Sequence, residues 1–178
     1  MDEGVRYRIG KLDVASDTKI KPEYLRPLFK IKEGDYYSRK KLDKGFEKAK
    51  DLYGAAGYWQ MVPDPQMCPR GFNCETGDQI DPNPPPIMDL TIKLNEGKQF
   101  FVNRITFLGN TTTRDNVIRR EVRVVEGDRF NTEALKYSIK RLNQLGYFKP
   151  LEGGKDVDVQ KTPGEDNKVD VKLKLEDR

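Results

Sequence analysis

Few residues in this 178-residue chain have the types and spacing that catalysis requires. The chain contains no histidine, so it lacks the side chain that most often acts as a general base near neutral pH. Neither a G-x-S-x-G nucleophile motif nor a G-x-x-x-x-G-K-[ST] phosphate-binding loop occurs in it. The acidic residues lie in mixed-charge stretches, and nothing predicts a carboxylate pair whose pKa values are held apart by apolar surroundings. We therefore expect that the protein is not an enzyme and binds no cofactor.

The two cysteines, Cys68 and Cys74, lie in the one irregular stretch of the sequence, with five residues between them. Without a histidine or another cysteine they are too few to hold a zinc ion, so we expect no metal site. The favoured interpretation is a local disulfide formed in an oxidising compartment. A pair of free thiols in a reducing compartment is the alternative.

The charged residues indicate a solvated surface with both signs of charge. Lysine and arginine number 33, and aspartate and glutamate 29, which gives a net charge of +4 spread along the chain. So small an excess favours anionic partners only weakly. No uninterrupted apolar run approaches the roughly 18 residues of a membrane-spanning helix.

One pattern occurs twice in the chain. Gly34-Asp35 and Gly127-Asp128 lie 93 positions apart, and this offset holds without a gap over a long run. It aligns apolar residues with apolar residues: Leu12 with Ile105, Val14 with Phe107, Leu25 with Ile118, Tyr37 with Phe130, Leu42 with Leu135, Phe46 with Ile139, and Leu52 with Leu145. The repeat predicts two copies of one module, over residues 5–96 and 99–177.

Each copy reads as a strand, two helices and two more strands. The longer helices each have one apolar face, formed by Leu42, Phe46, Ala49 and Leu52 in the first copy and by Leu135, Ile139, Leu142 and Leu145 in the second. The last strand of each copy alternates strictly between apolar and polar residues, so one face is buried. We predict an α+β fold with two tandem β-α-α-β-β modules, each a three-stranded mixed sheet covered on one face by two antiparallel helices.

Proline distinguishes the two modules. Pro27 falls one turn inside the first helix of the first module, so we expect that helix to be short or kinked. Residues 63–86 are rich in Pro, Gly, Asn and Asp and have no periodicity. Because proline cannot donate to a sheet ladder, we expect this stretch to loop out as an insertion between strands two and three. The same junction in the second module is short, and is built on Thr162-Pro163-Gly164.

An RNA-binding module of the KH type is the alternative from another functional class. Its β-α-α-β order is similar, and a GxxG loop between its helices clamps the nucleic-acid backbone. Here the turns between the helices read Lys32-Glu33-Gly34-Asp35 and Val125-Glu126-Gly127-Asp128. Each turn has a single glycine and two acids, which would repel phosphate, so we expect no nucleic-acid partner.

A third possibility is binding through the sheet edges. The outer strands of a three-stranded sheet carry unpaired N–H and C=O groups, to which an extended segment of another chain can add. The candidates are the second strands of the two modules, with Tyr58, Trp59, Gln60, Met61 and Val62 in the first and Asp156, Val157, Asp158, Val159 and Gln160 in the second. The pattern alone does not separate this role from edges that merely end a sheet.

The stretch from Val102 to Phe148 resembles the POTRA (polypeptide-transport-associated) domain, in the form found in Omp85 outer-membrane assembly proteins. The resemblance rests on Gly109-Asn110, Arg119-Arg120-Glu121, Glu126-Gly127-Asp128 and the LNQLGYF ending at Phe148. The chain's ending, TPG followed by VDVKLKLEDR, resembles the last POTRA domain before the β-barrel of BamA-like members. The first module matches through the repeat register only, and its cysteine-containing insertion departs from the usual pattern.

The resemblance implies a function in outer-membrane protein assembly. It implies a periplasmic scaffold at the outer membrane of a Gram-negative-type bacterium, attached to its own C-terminal β-barrel outside this sequence. The scaffold would bind unfolded outer-membrane proteins by β-strand addition and dock accessory outer-membrane lipoproteins. The residues suggested for lipoprotein docking are Arg119, Arg120, Glu121 and Arg123. The alternative within the family is the POTRA pair of a two-partner-secretion or translocation-type transporter.

Overall fold

A computed structural model describes residues 4–15 and 18–178. The chain forms two compact units, Met1–Lys50 with Met61–Glu96, and Asp51–Gln60 with Gly97–Arg178. Among the described helices, none has both the length and the apolar character needed to cross a bilayer.

The first module contains three strands and two α-helices. In chain order they are β1 (Arg8–Val14), α1 (Pro22–Leu25), α2 (Arg39–Ala55), β2 (Val62–Pro69) and β3 (Ile87–Asn95). β3 lies in the centre of the sheet, parallel to β1 and antiparallel to β2. The prediction from Pro27 is confirmed, because α1 is only four residues long and continues as a 3-10 helix over Arg26–Leu28.

The second module repeats this order. It consists of β4 (Phe101–Leu108), α3 (Asp115–Glu121), α4 (Thr132–Leu145), β5 (Val157–Lys161) and β6 (Lys168–Lys174). β6 is the central strand, parallel to β4 and antiparallel to β5. The predicted α+β fold with two three-stranded mixed sheets is confirmed.

The buried face of each central strand follows the predicted alternation. In β3 the buried side chains are Met88, Leu90, Ile92 and Leu94, and in β6 they are Val169, Val171 and Leu173. In α4, Leu135 and Leu142 are buried and Ile139 packs against the same core. The buried face of α2 differs from the prediction at one position, because Leu52 is 37% exposed while Tyr53 is completely buried. A step of four residues from Ala49 thus replaces the predicted step of three.

The second strand of the first module does not lie where it was predicted. β2 spans Val62–Pro69, so its start overlaps the predicted strand only at Val62 and most of it lies inside the predicted insertion. Residues 58–61 lie outside the strand, with a turn at Trp59 and Gln60 that follows Gly57, whose φ of 93° is left-handed. The Trp59 ring packs edge-on against Phe100 and Phe130, with centroids 5.6 and 5.9 Å away. Trp59, which was predicted to lie in the strand, is therefore a packing residue in a turn.

The segment that follows β6 is bound to two loops of the second module. The Asp177 carboxylate accepts hydrogen bonds from the backbone N–H groups of Thr111 and Thr112, both at 2.7 Å. The Leu175 N–H donates to the carbonyl of Leu108 at 2.7 Å, and Arg178 N–H donates to Tyr147. These hydrogen bonds fix the last described residues to the module.

Candidate strand-binding edges and docking face

Four outer strands present edges at which another strand could add. β1 and β2 flank β3, and β4 and β5 flank β6. Every second residue of an outer strand directs its N–H and C=O away from the sheet, and these groups pair with any extended chain that reaches them. The four edges differ in how many of these groups are still unpaired.

The outer edge of β4 is closed by the turn between α3 and α4. Val102 donates its N–H to the Asp128 carbonyl at 2.8 Å, and the Gly127 N–H donates back to the Val102 carbonyl at 2.7 Å. Further along the strand, the Ile105 N–H donates to the Glu126 carboxylate at 2.9 Å. Three consecutive residues, which we call the Glu-Gly-Asp turn, thus supply both backbone and side-chain partners to one strand edge.

The outer edge of β1 is closed in the same way by Glu33-Gly34-Asp35. The Ile9 N–H donates to the Asp35 carbonyl at 2.8 Å, and the Gly34 N–H donates to the Ile9 carbonyl at 2.7 Å. The Leu12 N–H donates to the Glu33 carboxylate at 3.2 Å. The two Glu-Gly-Asp turns are 93 residues apart, as are the strand residues that they pair with.

Glycine is required at the centre of this turn. Gly34 and Gly127 have φ values of 88° and 89°, in the left-handed region that strains other residues. The motif was predicted as a turn, but its pairing with the strand was not predicted. The signal was present, because the strand and the turn recur with one common offset.

The edge of β2 is depleted of hydrogen-bond donors. The Arg70 N–H, just past the strand, donates to the Ile87 carbonyl of β3 at 2.9 Å. Counting back by twos in an antiparallel ladder, the even-numbered residues of β2 face β3 and the odd-numbered residues face outward. Three of the four outward positions are prolines, at Pro63, Pro65 and Pro69, and only Met67 retains an N–H. The expectation that proline excludes this segment from the sheet is wrong because proline is tolerated where the N–H would point to solvent.

The edge of β5 retains all its donors. The Lys174 N–H donates to the Asp156 carbonyl, and the Thr162 N–H donates to the Lys168 carbonyl, so even-numbered residues face β6. Val157, Val159 and Lys161 therefore direct their N–H and C=O groups outward, and no described residue pairs with them. Of the predicted edge residues in this module, Val157, Asp158, Val159 and Gln160 lie in the strand, and Asp156 lies in the turn before it.

The segment beyond β2 folds back on the sheet. Cys68 and Cys74 form a disulfide with a Cα–Cα distance of 5.3 Å, which is within the usual range. The Arg70 guanidinium pairs with the Asp89 carboxylate at 3.2 Å, and the same carboxylate accepts the Lys11 N–H at 2.8 Å. Burial raises the pKa of Asp89, but the bonds from Lys11 and Arg70 outweigh burial and hold this pKa below its usual value.

The residues suggested for lipoprotein docking have different environments. Glu121 accepts a hydrogen bond from Arg141 of α4 at 2.8 Å, which raises the pKa of Arg141. Arg119 donates to the Ile105 carbonyl at 3.2 Å and lies 3.7 Å from the Glu126 carboxylate, so it supports the closed β4 edge.

The other two arginines, Arg123 and Arg120, also have different environments. The Arg123 guanidinium stacks on the Tyr137 ring at 3.8 Å. Arg120 is exposed, and its side chain makes no ion pair with any residue that the structure describes. The structure thus leaves Arg120 exposed on α3, beside the Glu121–Arg141 pair that links α3 to α4. Within residues 4–15 and 18–178, no group of three or more acidic or cysteine side chains is placed to hold a metal ion.

The protein-family model POTRA, described as a surface antigen variable number repeat, matches residues 7–97 and again residues 100–178. The chain is 31% identical over 177 residues to the outer membrane protein assembly factor BamA of Neisseria meningitidis serogroup B. It is 27% identical over 180 residues to the BamA of Nitratidesulfovibrio vulgaris. Each alignment covers 99% of this chain but only 20% and 21% of the relative, so the chain spans about a fifth of those proteins.

Two solved structures match nearly the whole chain. The BamA POTRA3–5 structure of Haemophilus influenzae superimposes with a TM-score of 0.74 at 21% identity, covering 99% of this chain and 63% of that one. The BamA of Haemophilus ducreyi lacking POTRA domains 1–3 gives a TM-score of 0.74 at 26% identity, covering 97% and 30%. With two family matches on two repeated folds, the chain belongs to the POTRA family, as a tandem pair of domains of the BamA/Omp85-like type.

Proposed function

We propose that this chain is a periplasmic scaffold of an outer-membrane protein assembly factor. It binds unfolded outer-membrane proteins by strand addition, and accessory outer-membrane lipoproteins dock on it. The unpaired edge of β5 is the observation that carries this proposal, because exposed backbone groups recognise any extended chain irrespective of its side chains. The names of the relatives supply the class of client, since each is an outer membrane protein assembly factor.

The size of the β5 edge fits a transient contact. Val157, Val159 and Lys161 together offer about six outward backbone groups, each worth roughly 0.5–1.5 kcal/mol net when paired. Ordering an extended peptide costs several kcal/mol, so the net affinity falls in the range of about millimolar to high micromolar. A scaffold that passes its client on to a membrane needs this reversibility.

The disulfide supports a periplasmic location. Disulfides form and persist in oxidising compartments, which include the bacterial periplasm, and are rare in the cytosol. Cys68 and Cys74 are joined at the end of β2, on the sheet that carries the closed Glu33-Gly34-Asp35 turn. The protein to which this scaffold is attached would carry its own C-terminal β-barrel.

A peptide titration tests strand addition. A peptide of about ten residues with the alternating pattern of an outer-membrane strand is added to the isotopically labelled chain. We expect the backbone amide signals of Val157 and Val159 to shift progressively, while those of the closed edge, Val102 and Ile105, stay constant. Spectra that do not change up to about millimolar peptide would remove this function from the second module.

We propose that accessory lipoproteins dock at Arg120 of α3 and at the neighbouring Glu121–Arg141 pair, which links α3 to α4. Glu121 offers a carboxylate that is partly buried and already oriented by Arg141, which reduces the entropy lost when a cationic partner binds. Arg119 and Arg123 contribute less, because their guanidinium groups are engaged with Glu126 and Tyr137.

Charge reversal tests the docking face in the full-length protein. Glu121→Arg should abolish co-isolation of accessory lipoproteins, while Glu133→Arg on α4 serves as the matched control. The double variant Glu121→Arg with Arg141→Glu restores a local ion pair but leaves α3 with the wrong charge, so docking should still be lost. Recovery of docking in the double variant would show that the pair acts through local stability and would refute the assignment.

A further inference from the structure

The four sheet edges of this chain are unequal, although the two modules share one fold. β1 and β4 are closed by Glu-Gly-Asp turns, and β2 and β5 are the corresponding second strands of the two modules. β2 has eight residues and β5 has five, so length alone would favour β2 as the binding edge. Their backbone donors give the opposite ranking.

A strand that adds to an edge needs both N–H and C=O groups at alternate positions. The outward set of β2 has the sequence Pro, Pro, Met, Pro at residues 63, 65, 67 and 69, so a single donor remains. Of the four outward carbonyls, that of Pro69 already accepts the Phe72 N–H at 3.3 Å. Neither a parallel nor an antiparallel strand can form a continuous ladder with it, because each skipped donor leaves a carbonyl of the incoming chain unpaired. Such a carbonyl loses its water and gains no partner, which costs free energy.

The outward set of β5 has no proline. Val157, Val159 and Lys161 each keep an N–H and a C=O, and none of these groups is paired within residues 4–15 and 18–178. The side chains of Val157 and Val159 pack partly buried against the core of the second module, while Asp158 and Gln160 alternate with them on the other face. An added strand would therefore meet an apolar row on one face and a polar row on the other.

We infer that the prolines of β2 close this strand to strand addition, so that of the two second strands only β5 can accept another chain. The inference rests on the proposed function and assigns that function to one strand. The occupant of β5 is an extended segment of an unfolded outer-membrane protein whose apolar residues alternate in phase with Val157 and Val159. Strands of membrane barrels have this period of two, and a slip of one residue would place their apolar side chains on the polar face.

Exchanging proline between the two edges tests the inference. Val159→Pro removes one outward donor from β5 but no bond of the β5–β6 ladder, because residue 159 faces away from β6. We expect binding of the alternating peptide to weaken at least tenfold. Val159→Thr keeps the N–H and should weaken binding much less, while Lys140→Ala, on the exposed surface of α4 and away from the edge, should bind like the parent. Circular dichroism and the amide signals of β6 show whether the sheet is intact in both variants of Val159.

The reciprocal variant restores backbone donors to the outer edge of β2. Replacing Pro63 and Pro65 by threonine restores two outward donors to β2 without altering the residues that face β3. In this variant we expect peptide-induced shifts at residues 65 and 67, which the parent chain does not show. A second copy of this chain is the other possible occupant of β5, and sedimentation of the free chain as a monomer would exclude it.

The outcomes separate this inference from the proposed function. Peptide binding that survives Val159→Pro, or that shifts Met67 in the parent chain, would overturn the assignment to β5 and leave strand addition standing. A peptide that binds no edge at all would overturn the proposed function itself. Concentration-dependent dimerisation that is abolished by Val159→Pro would replace the peptide as occupant with a second copy.

Discussion

The two modules close one edge of their sheets identically and treat the other edge differently. In both, a Glu-Gly-Asp turn pairs with the first strand, through Gly34 with Ile9 in one module and Gly127 with Val102 in the other. On the opposite side β2 carries three outward prolines, whereas β5 carries none. Single backbone groups therefore decide whether an edge is available, and a repeated fold does not imply a repeated binding site.

The largest difference that we expect between the modules lies in their cores. Phe130 and Tyr37 occupy equivalent positions after the Glu-Gly-Asp turn, but Phe130 is fully buried and Tyr37 only partly. Phe130→Ala should therefore cost about 3–5 kcal/mol of unfolding free energy in the second module. Tyr37→Ala should cost roughly 1–2 kcal/mol in the first, since less apolar surface is lost from contact.

Amide hydrogen exchange resolved by module measures both effects, with Tyr147→Ala as a control because Tyr147 is exposed. Equal losses of unfolding free energy from Phe130→Ala and Tyr37→Ala would contradict the expected difference between the two cores.

A smaller effect should follow from opening the closed edges. Glu126→Ala leaves the Ile105 N–H without its acceptor, and Glu33→Ala does the same to Leu12. We expect a loss of about 1 kcal/mol at Ile105 and less at Leu12, because the first bond is 2.9 Å long and the second 3.2 Å. Faster exchange of these two amides is the measurement.

Glu47→Ala, on the exposed surface of α2, is the control for the closed edges. If removal of either carboxylate left the exchange of its strand amide unchanged, the side chain would not be part of the closure.

The smallest effect is a response to acid. The N–H of Thr112, together with the Thr111 and Thr113 groups, lowers the pKa of Asp177 below its usual value of 3.8. A lowered pKa in the folded state adds stability above pH 3.8, and this stability is lost as the pH falls from 3.8 through the folded value. We expect the Thr112 amide signal to move in that range, and to stay constant in Asp177→Asn.

The first module should respond similarly through Asp89, whose pKa is also below 3.8. Movement of the Lys11 amide signal in the same pH range would show it. A Thr112 signal that titrated above pH 3.8 would mean that Asp177 is not held by these bonds.

Much of the fold follows from the sequence because both modules obey simple periodicities. The strict alternation of Met88 to Leu94 and of Val169 to Leu175 fixed the central strands, and the 93-residue offset fixed the repeat. The buried face of α2 was predicted with one error, at Leu52, because steps of three and four are equally compatible with a helix. In the structure Tyr53, and not Leu52, takes the buried position.

The candidate site was harder to predict because it depends on the side to which each backbone N–H of a strand points. Proline excludes a residue from a strand only if the N–H would have faced a neighbour, and the sequence does not say which residues of β2 face β3. The Glu121–Arg141 pair is likewise invisible in the sequence, since the two residues are 20 positions apart on different helices. β5 lies within one residue of its predicted position, because no long insertion separates it from β6.

The closure of β1 and β4 by a turn from within the same module has a consequence for growth by duplication. A domain whose own turn covers one sheet edge can be duplicated in tandem without the copies pairing with each other through that edge. The turn is only three residues long and is duplicated with each domain. No further mutation is therefore needed to keep additional copies from associating through this edge. The outer edge of the second strand in each copy can then gain or lose its ability to accept another strand through single proline substitutions.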